Sequence, residues 1–323
     1  MSLSLDRRGF FRGALIAPFM AQGVSARAPG VPPVPRAGGP YLKPALNVFS
    51  FLELLNANLK DSKSGIDLFG VCDFAAKLNM DAVDLTGYFS PGYPTAPDDR
   101  FVNRIKRHTQ RLGLDISGTG VRNDFATADK DARAAGVKLT KEWSEVAARL
   151  GAPVIRVFAG PQPPHKDWQT ASGGAKREDV EAWMAESLRA CAEHGEKFGV
   201  QVAVQNHGDF LSSGPEHLSL LKRVDHEWCG ALADTGKYLT EDPYVDIKMM
   251  VPHATNWQIK ETLGSSTNSP PTDYKKLVRI IHDGGYRGYL PIETLSMGRK
   301  NYDPASEVAR VLTELRAAIA AVK

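Results

Sequence analysis

The sequence predicts an α/β protein of the (β/α)8 class, the TIM barrel, and two observations favour this architecture over other α/β folds. From residue 45 onward, apolar strand patterns alternate with helix patterns eight times over about 280 residues, the usual length of such a barrel. A doubly wound open sheet would carry a glycine-rich phosphate loop after its first strand, and the sequence has none there.

The individual elements follow from the spacing of apolar residues. The predicted strands are short apolar runs at 45–51, 82–86, 114–121, 153–159, 200–206, 230–234, 255–260 and 288–293. Between them, apolar residues recur at steps of three and four, which is the spacing of a helix with one buried face. These patterns place helices at 66–78, 101–112, 139–150, 180–199, 215–224, 244–250, 274–282 and 304–322. Gly113, Gly151 and Gly199 stand where three of the helices end, as glycines commonly do.

The first 44 residues precede the alternation and predict an export signal with a linker. Residues 1–28 contain the pair Arg7-Arg8, then Phe10-Phe11, a mildly apolar run and the small-residue pattern Ala-Arg-Ala28. This segment resembles a twin-arginine signal, which carries folded proteins across a bacterial inner membrane into the periplasm. Cleavage after Ala26 or Ala28 and retention as an uncleaved anchor stay open. Residues 29–44 hold six prolines and predict an extended linker, so the barrel domain is expected to span 45–323.

Composition excludes several classes of protein. The net charge of +3 is carried by residues 1–28, so the body is neutral and lacks the basic surface of a nucleic-acid-binding protein. No apolar stretch approaches the length of about 18 residues that a membrane span requires. The three cysteines are too few and scattered for disulfides or a zinc site and are expected to be reduced, buried thiols: Cys72, Cys191 and Cys229. Six histidines fall on helices or their ends and are expected at the surface: His108, His194, His217, His226, His253 and His282.

Polar side chains gather at the ends of the predicted strands, where the chemistry of such barrels is found. Alternate residues of a strand point the same way, so the side chains of Gln205 and His207 face one side. The same holds for Gln258 and Lys260, and we expect all four at one mouth of the barrel. Arg122, at the end of strand three, is a candidate for holding a substrate oxygen. The complete set of strand-end polar residues is Asp84, Arg122, Arg156, Gln205, His207, Asp234, Gln258, Lys260 and Glu293. We expect Asp84 and Arg156, which lie in mid-strand, to pair inside the barrel.

Strands five to eight carry the motifs Val-Ala-Val-Gln205-Asn-His-Gly-Asp, Ala-Asp234-Thr-Gly, Trp-Gln258-Ile-Lys-Glu and Leu-Pro-Ile-Glu293-Thr. In combination they resemble the sugar phosphate isomerase/epimerase superfamily, the xylose isomerase-like TIM barrels that include endonuclease IV, and the resemblance covers residues 45–320. In the epimerases of that superfamily, Glu, Asp, His and Glu from these four strands hold a divalent metal, commonly manganese. The two glutamates also move a proton between adjacent carbons of a keto sugar.

The sequence departs from that pattern at two of the four ligand positions. The Asp and the last Glu are kept as Asp234 and Glu293, whereas the first Glu is Gln205 and the His is Gln258. An amide oxygen can bind a hard cation, but it brings no negative charge and cannot act as a base. A proton shuttle between two glutamates is therefore not expected here.

Three alternatives for the site follow. In the first, Asp234, Glu293, Gln258 and His207 still hold a divalent metal such as Mn, Mg, Co or Zn. In the second, Lys237 and Lys260 supply positive charge to a developing enediolate oxygen in place of the metal. In the third, the pocket binds a sugar and carries no chemistry.

The sequence thus predicts an exported isomerase or epimerase that acts on a non-phosphorylated keto sugar or an oxidised glycoside by removing a proton next to a carbonyl. The candidate catalytic residues are Glu293, His207 and Lys260, and the candidate substrate-binding residues are Arg122, Gln205, Asn206, Lys237 and Trp168. Trp168 and His165 lie in the 160–176 loop, whose length is typical of a lid. A β-eliminating lyase for keto-glycosides and a periplasmic carbohydrate-binding protein are the alternatives. The identity of the sugar and the oligomeric state are left open.

Overall fold

A computed structural model describes residues 32–161, 167–264 and 269–322. The candidate export signal at 1–28 and His165 of the candidate lid lie outside the described residues. Within the described ranges, no helix is both long enough and apolar enough to span a membrane.

Eight parallel strands in the described part of the chain form the barrel and confirm the predicted fold class. They are β1 Tyr41–Asn47, β2 Ala82–Thr86, β3 Asp115–Gly120, β4 Val154–Phe158, β5 Gln201–Gln205, β6 Cys229–Asp234, β7 Ala254–Gln258 and β8 Arg287–Ile292. Each strand pairs with its neighbour in chain order, and β1 also pairs with β8. The remaining seam closes beyond β7, where Ile259 N donates to Pro291 O at 2.8 Å and Glu293 N donates to Ile259 O at 2.9 Å.

Helices follow every strand and cover the outside of the barrel. Those described are α1 Leu52–Lys60, α2 Leu68–Lys77, α3 Asp99–Leu112, α4 Lys130–Leu150, α5 Trp168–Ala171, α6 Arg177–Phe198, α7 Gly214–Val224, α8 Pro243–Met250, α9 Tyr274–Asp283 and α10 Pro304–Ala320. Gly113, Gly151 and Gly199 adopt left-handed backbone conformations with φ of 71°, 79° and 67° at the ends of α3, α4 and α6, as predicted. Helix α1 was not predicted, because it buries only Leu55 and has little apolar periodicity.

The first strand begins earlier than the sequence pattern indicated. Strand β1 starts at Tyr41, inside the segment predicted as a linker, and Pro44 lies within it opposite Leu290 of β8. Residues 48–51, predicted as its end, instead form a 3-10 turn that Asn47 begins by accepting a hydrogen bond from Phe49 N. The proline-rich composition concealed the strand, since proline is a poor strand former.

The expectation that His217 lies at the surface is wrong. Its side chain is fully buried between α7 and β5, where Nε2 lies 3.0 Å from Val204 O and Nδ1 lies 3.2 Å from the Tyr238 hydroxyl. Burial lowers the pKa of His217 to about 4, so the ring is neutral at pH 7. Two of the cysteines, Cys72 and Cys191, are buried free thiols as predicted, and Cys229 is a free thiol at intermediate exposure.

The interior of the barrel is narrow and partly polar. Only a small apolar cluster, Val154, Ala203 and Leu232, fills it among the described residues, while the main core lies between strands and helices. Gly118 and Gly120 of β3 leave space for larger neighbours: a Cβ at Gly118 would lie 2.6 Å from Asp84 Oδ2, and one at Gly120 would lie 2.9 Å from Arg156 Cζ. These glycines let polar side chains stand inside the barrel beneath its carboxyl-terminal mouth.

Candidate active site

A cavity of about 210 Å³ opens at the carboxyl ends of the strands. Its walls combine aromatic and polar side chains, as the walls of small-molecule sites do. Its lining residues are Phe49, Thr86, Tyr88, Arg122, Arg156, Phe158, Gln205, His207, Gln258 and Glu293. Six of them were identified from the sequence as strand-end polar residues, so the structure brings the predicted polar groups into one cavity.

The two glutamines that replace acidic and imidazole ligands are bonded to each other and to Asp234. Gln205 Nε2 donates to Asp234 Oδ2 at 2.9 Å and to Gln258 Oε1 at 2.5 Å. Gln205 Oε1 is buried without a hydrogen-bond partner among the described residues. The amide thus presents an N–H, not its oxygen, to the Asp234 carboxylate.

Asp234, Lys260 and Glu293 form what we call the buried ion cluster. Lys260 Nζ donates to Glu293 Oε1 and lies 3.7 Å from Asp234 Oδ2, and the three side chains are 6%, 6% and 1% exposed for Lys260, Glu293 and Asp234. Burial alone would lower the pKa of Lys260, but the carboxylates of Asp234 and Glu293 outweigh it and raise that pKa above its ordinary value. Burial raises the pKa of Asp234, and Lys260 opposes this rise. The ammonium is therefore charged and stabilises both carboxylates.

The chain holds Lys260 in place at several points. Its backbone N–H donates to Thr235 Oγ1 at 3.0 Å, and its carbonyl accepts from Thr272 Oγ1 at 2.8 Å. Gly236 leaves room for the aliphatic stem, because a Cβ there would lie 2.8 Å from Lys260 Cγ. The backbone and stem of Lys260 are thus held by residues that follow β6 and by a residue that precedes α9.

The donor set does not fit a divalent metal. The space between the two retained carboxylates, Asp234 and Glu293, is taken by the Lys260 ammonium, and Gln205 donates an N–H to the Asp234 carboxylate. Over the described ranges, no three histidine, cysteine or acidic side chains are grouped to hold a metal. His207 does not form a ligand pair with Asp234, because its ring packs edge-on against Phe158 with 4.7 Å between ring centroids.

Two arginines and a tyrosine form the opposite wall. The Arg156 guanidinium donates to the Tyr88 hydroxyl and to Val121 O at 2.6 Å, and it lies 4.1 Å from the centroid of the Phe158 ring. The exposed Arg122 lies over the face of Tyr88, 4.4 Å from its centroid. These stacked cations present positive charge to the cavity without a direct carboxylate partner within salt-bridge distance among the described residues.

Asp84 stays inside the barrel below the cavity, as expected. Its Oδ2 accepts from Asn256 Nδ2 at 3.1 Å, and Arg156 acts on it electrostatically from a greater distance. Burial raises the pKa of Asp84 to about 7, with Arg156 opposing the rise. Its bonded partner is therefore the Asn256 amide and not the predicted arginine.

His207 stands at the exposed rim of the cavity. Its pKa is lowered, first by partial withdrawal from water into the cavity wall and then by the positive charges of Lys237, Arg156 and Lys260. Solvent contact weakens the effect of burial, but the three cations also lower the pKa of His207. The ring is therefore neutral near pH 7, and the nearby cations make it a weak base.

Three predicted substrate-binding residues do not line the cavity. Asn206 is fully buried, and its amide bonds the backbone of Asp234 twice, accepting from N at 2.8 Å and donating to O at 2.9 Å. Trp168 packs against Phe210 with 5.3 Å between ring centroids. Lys237 lines a smaller neighbouring cavity together with Lys260, and burial lowers its pKa with Asp234 opposing.

Sequence reasoning missed four wall residues, Phe49, Thr86, Tyr88 and Phe158, because apolar and hydroxyl side chains at strand ends resemble core residues. A signal was available for two of them. Thr86 and Phe158 each lie two residues after a polar interior residue, Asp84 and Arg156, and alternation along a strand places both on the same side.

The chain resembles one known protein family and several solved structures. The model of the xylose isomerase-like TIM barrel family matches residues 72–316, which confirms the resemblance carried by the four motifs. No curated protein matches the sequence.

Several solved structures share the fold at low sequence identity. D-psicose 3-epimerase from Clostridium cellulolyticum H10, solved with D-tagatose, is 14% identical with a TM-score of 0.69 over 86% of this chain and 99% of that chain. L-ribulose 3-epimerase is 14% identical with a TM-score of 0.67 over 87% of this chain and 97% of that one. A 3-keto-D-glucoside 4-epimerase from E. coli is 14% identical with a TM-score of 0.63 over 86% of this chain and 100% of that one. At these identities the likeness establishes the fold.

Proposed function

The chain belongs to the xylose isomerase-like TIM barrel family, and from this premise we propose that it is a sugar epimerase or isomerase acting on a non-phosphorylated keto sugar or an oxidised glycoside. The observation that carries the proposal is the Glu293 carboxylate, which lines the cavity while the Lys260 ammonium bonds it from the buried side. A carboxylate held beside a fixed cation in the wall of a cavity suits proton removal next to a carbonyl.

The walls suit a carbohydrate. Phe49, Tyr88 and Phe158 supply apolar faces for the C–H surfaces of a sugar, and Gln205 and Gln258 supply amides for its hydroxyl groups. The similar solved structures include epimerases of free keto sugars and of a keto-glucoside, which supports the same substrate class here.

The reaction follows from these groups. Glu293 takes the proton from the carbon next to the carbonyl, and the C–H electron pair forms the C=C bond of an enediolate while the carbonyl oxygen gains negative charge. Arg122 and Arg156 in the wall, together with Lys260, stabilise that charge. The C=C electron pair then takes up a proton and the carbonyl is restored. Return of the proton by Glu293 to the neighbouring carbon gives an isomer, and delivery of a solvent proton to the other face of the same carbon, past the neutral His207 ring at the rim, gives an epimer.

We further propose that the enzyme acts outside the cytoplasm. The twin-arginine-like segment at 1–28 supports export into the periplasm. Phosphorylated sugars are scarce there, which favours a free sugar or glycoside as substrate.

The test is solvent exchange. The purified chain is incubated in D2O with D-psicose, D-tagatose, L-ribulose and a 3-keto-D-glucoside, and proton NMR follows the carbons next to the carbonyl. We expect deuterium to enter at one such carbon, and Glu293→Gln to reduce this exchange by at least about a hundredfold while sugar binding by calorimetry persists. Glu241→Gln, at an exposed position, is the matched control and should leave exchange unchanged.

The same experiment separates the alternatives. Exchange with the carbon skeleton and all substituents intact supports the epimerase or isomerase. Loss of the group at the β carbon identifies a lyase that uses the same proton removal. Binding of a sugar without any exchange would refute an enzymatic role and leave a carbohydrate-binding protein.

A further inference from the structure

The buried ion cluster has the same net charge as the metal site that the family implies, but its cation is Lys260 and not a metal. The family pattern combines three carboxylates with a divalent ion, leaving one net negative charge. Here Asp234 and Glu293 remain, Gln205 replaces the third carboxylate, and Lys260 contributes a single positive charge. The sum is again one net negative charge, so the loss of one carboxylate and of two positive charges is matched by the gain of one ammonium.

The lysine leaves a divalent ion no favourable place between the carboxylates. Its Nζ already bonds Glu293 Oε1 and lies 3.7 Å from Asp234 Oδ2. An ion bound to both carboxylates would lie within a few ångströms of that ammonium, and two positive charges at so short a distance repel strongly when little water separates them. The Gln205 N–H that donates to Asp234 adds the positive end of a dipole to the same place.

The fold is shaped around this lysine. Gly236 gives space to its stem, Thr235 and Thr272 bond its backbone, and Glu293 accepts from its ammonium. The Gln205–Gln258 hydrogen bond joins the two replaced positions to each other, so the two substitutions and the lysine form one connected arrangement.

We infer that Lys260 is the resident cation of this site, and that the chain excludes the divalent metal of its family and works without one. The inference deepens the proposed function, since it names what stabilises negative charge on the substrate, but its test is metal binding and does not depend on turnover.

The experiment measures manganese bound by four proteins, the wild type, Lys260→Ala, Lys237→Ala, and the triple variant Gln205→Glu/Gln258→His/Lys260→Ala. Each is loaded with excess MnCl2, dialysed and assayed by elemental mass spectrometry, and each is melted with and without MnCl2. Lys237→Ala is the matched control, because it removes a neighbouring lysine that bonds neither carboxylate side chain.

We expect the wild type and Lys237→Ala to retain no manganese and to melt at the same temperature with or without it. The triple variant, which restores the family's donor set, should retain about one equivalent and melt higher with MnCl2. Lys260→Ala should bind manganese at least about tenfold more tightly than the wild type, seen as a melting temperature that rises with MnCl2 even if the variant is less stable.

About one equivalent of manganese in the wild type would overturn the inference, as would a folded triple variant that binds none. A manganese-free wild type that shows no solvent exchange would refute the proposed function but leave this inference standing. Exchange that appears only when manganese is added would support the proposed function and refute this inference.

Discussion

At the scale of single residues, the site depends on which atom of each side chain faces its neighbour. Gln205 is an amide that donates to Asp234, whereas a glutamate at that position would repel the same carboxylate unless a cation separated them. The residue types were readable from the sequence, and so was the loss of two ligands. The direction of the Gln205 amide and the choice of Lys260 over Lys237 as the bonded cation were not, because they depend on distances across strands.

Gly236→Ala tests the placement of Lys260 without changing any charge. The new Cβ would lie 2.8 Å from Lys260 Cγ and 3.0 Å from Thr262 O, so the lysine stem must move. We expect a loss of about 1–3 kcal/mol in stability and a fall of about tenfold or more in solvent exchange, because small misplacements at a reacting centre are costly.

The matched control is Gly136→Ala on α4, where the nearest atom to a Cβ is Phe125 Cε1 at 3.2 Å. It should leave the exchange rate unchanged. A Gly236→Ala protein with wild-type exchange would show that the position of Lys260 is unimportant to the reaction.

At the scale of elements, alternation along a strand explains both the successes and the misses. Gln205 and His207 share one side of β5 and its extension, so Asn206 between them must point the other way, and it bonds the backbone of β6 as a result. The regular βα repeat gave most boundaries within one or two residues. Strand β1 was missed at its start because proline obscured the pattern, and α1 because a helix with one buried leucine has no clear apolar face.

His217 links two elements and makes stability depend on pH. Its imidazole binds a proton near pH 6.5 when unfolded and only near pH 4 when folded, because the buried ring lies between α7 and β5. The unfolded state therefore binds more protons in this window, and the free energy of unfolding falls by about 3 kcal/mol as the pH drops through it. Above pH 6.5 the ring is neutral in both states and adds no pH dependence.

Urea unfolding of the wild type and of His217→Gln at several pH values measures this contribution. Other titrating groups are common to both proteins, so the difference between the two curves isolates the histidine. We expect the variant to be less stable at pH 7 and to lose less stability between pH 6.5 and 4. Parallel curves would contradict the assignment.

At the scale of the whole molecule, a barrel predicted from eight βα repeats places its polar strand ends at one mouth, and the structure has a cavity there. The fold class, the neutral body and the end of the barrel at which the cavity lies were accessible from the sequence, because each depends on composition or on local periodicity. The barrel closes between Ile259 and β8, a long-range contact that no local pattern encodes. This closure decides which polar and aromatic residues share the cavity, so that grouping could not be predicted.

The proposed export concerns the whole chain and is tested through its N-terminal segment. Residues 1–44 fused to a reporter that folds before transport should carry it into the periplasm of a bacterium with the twin-arginine system. Replacing both arginines, Arg7→Lys together with Arg8→Lys, should retain the reporter in the cytoplasm, since the route requires the arginine pair. Export of the double variant at the wild-type level, measured by cell fractionation, would contradict a twin-arginine signal.

Proton transfer by Glu293 beside the Lys260 ammonium is tested most directly by solvent deuterium exchange with protein that has been stripped of metal by a chelator. Proton NMR of a keto sugar or keto-glucoside in D2O should show deuterium entering next to the carbonyl at the same rate before and after stripping, and no entry with Glu293→Gln. Absence of exchange with every sugar tried, or exchange that returns only with added manganese, would contradict proton transfer by Glu293 beside a lysine cation.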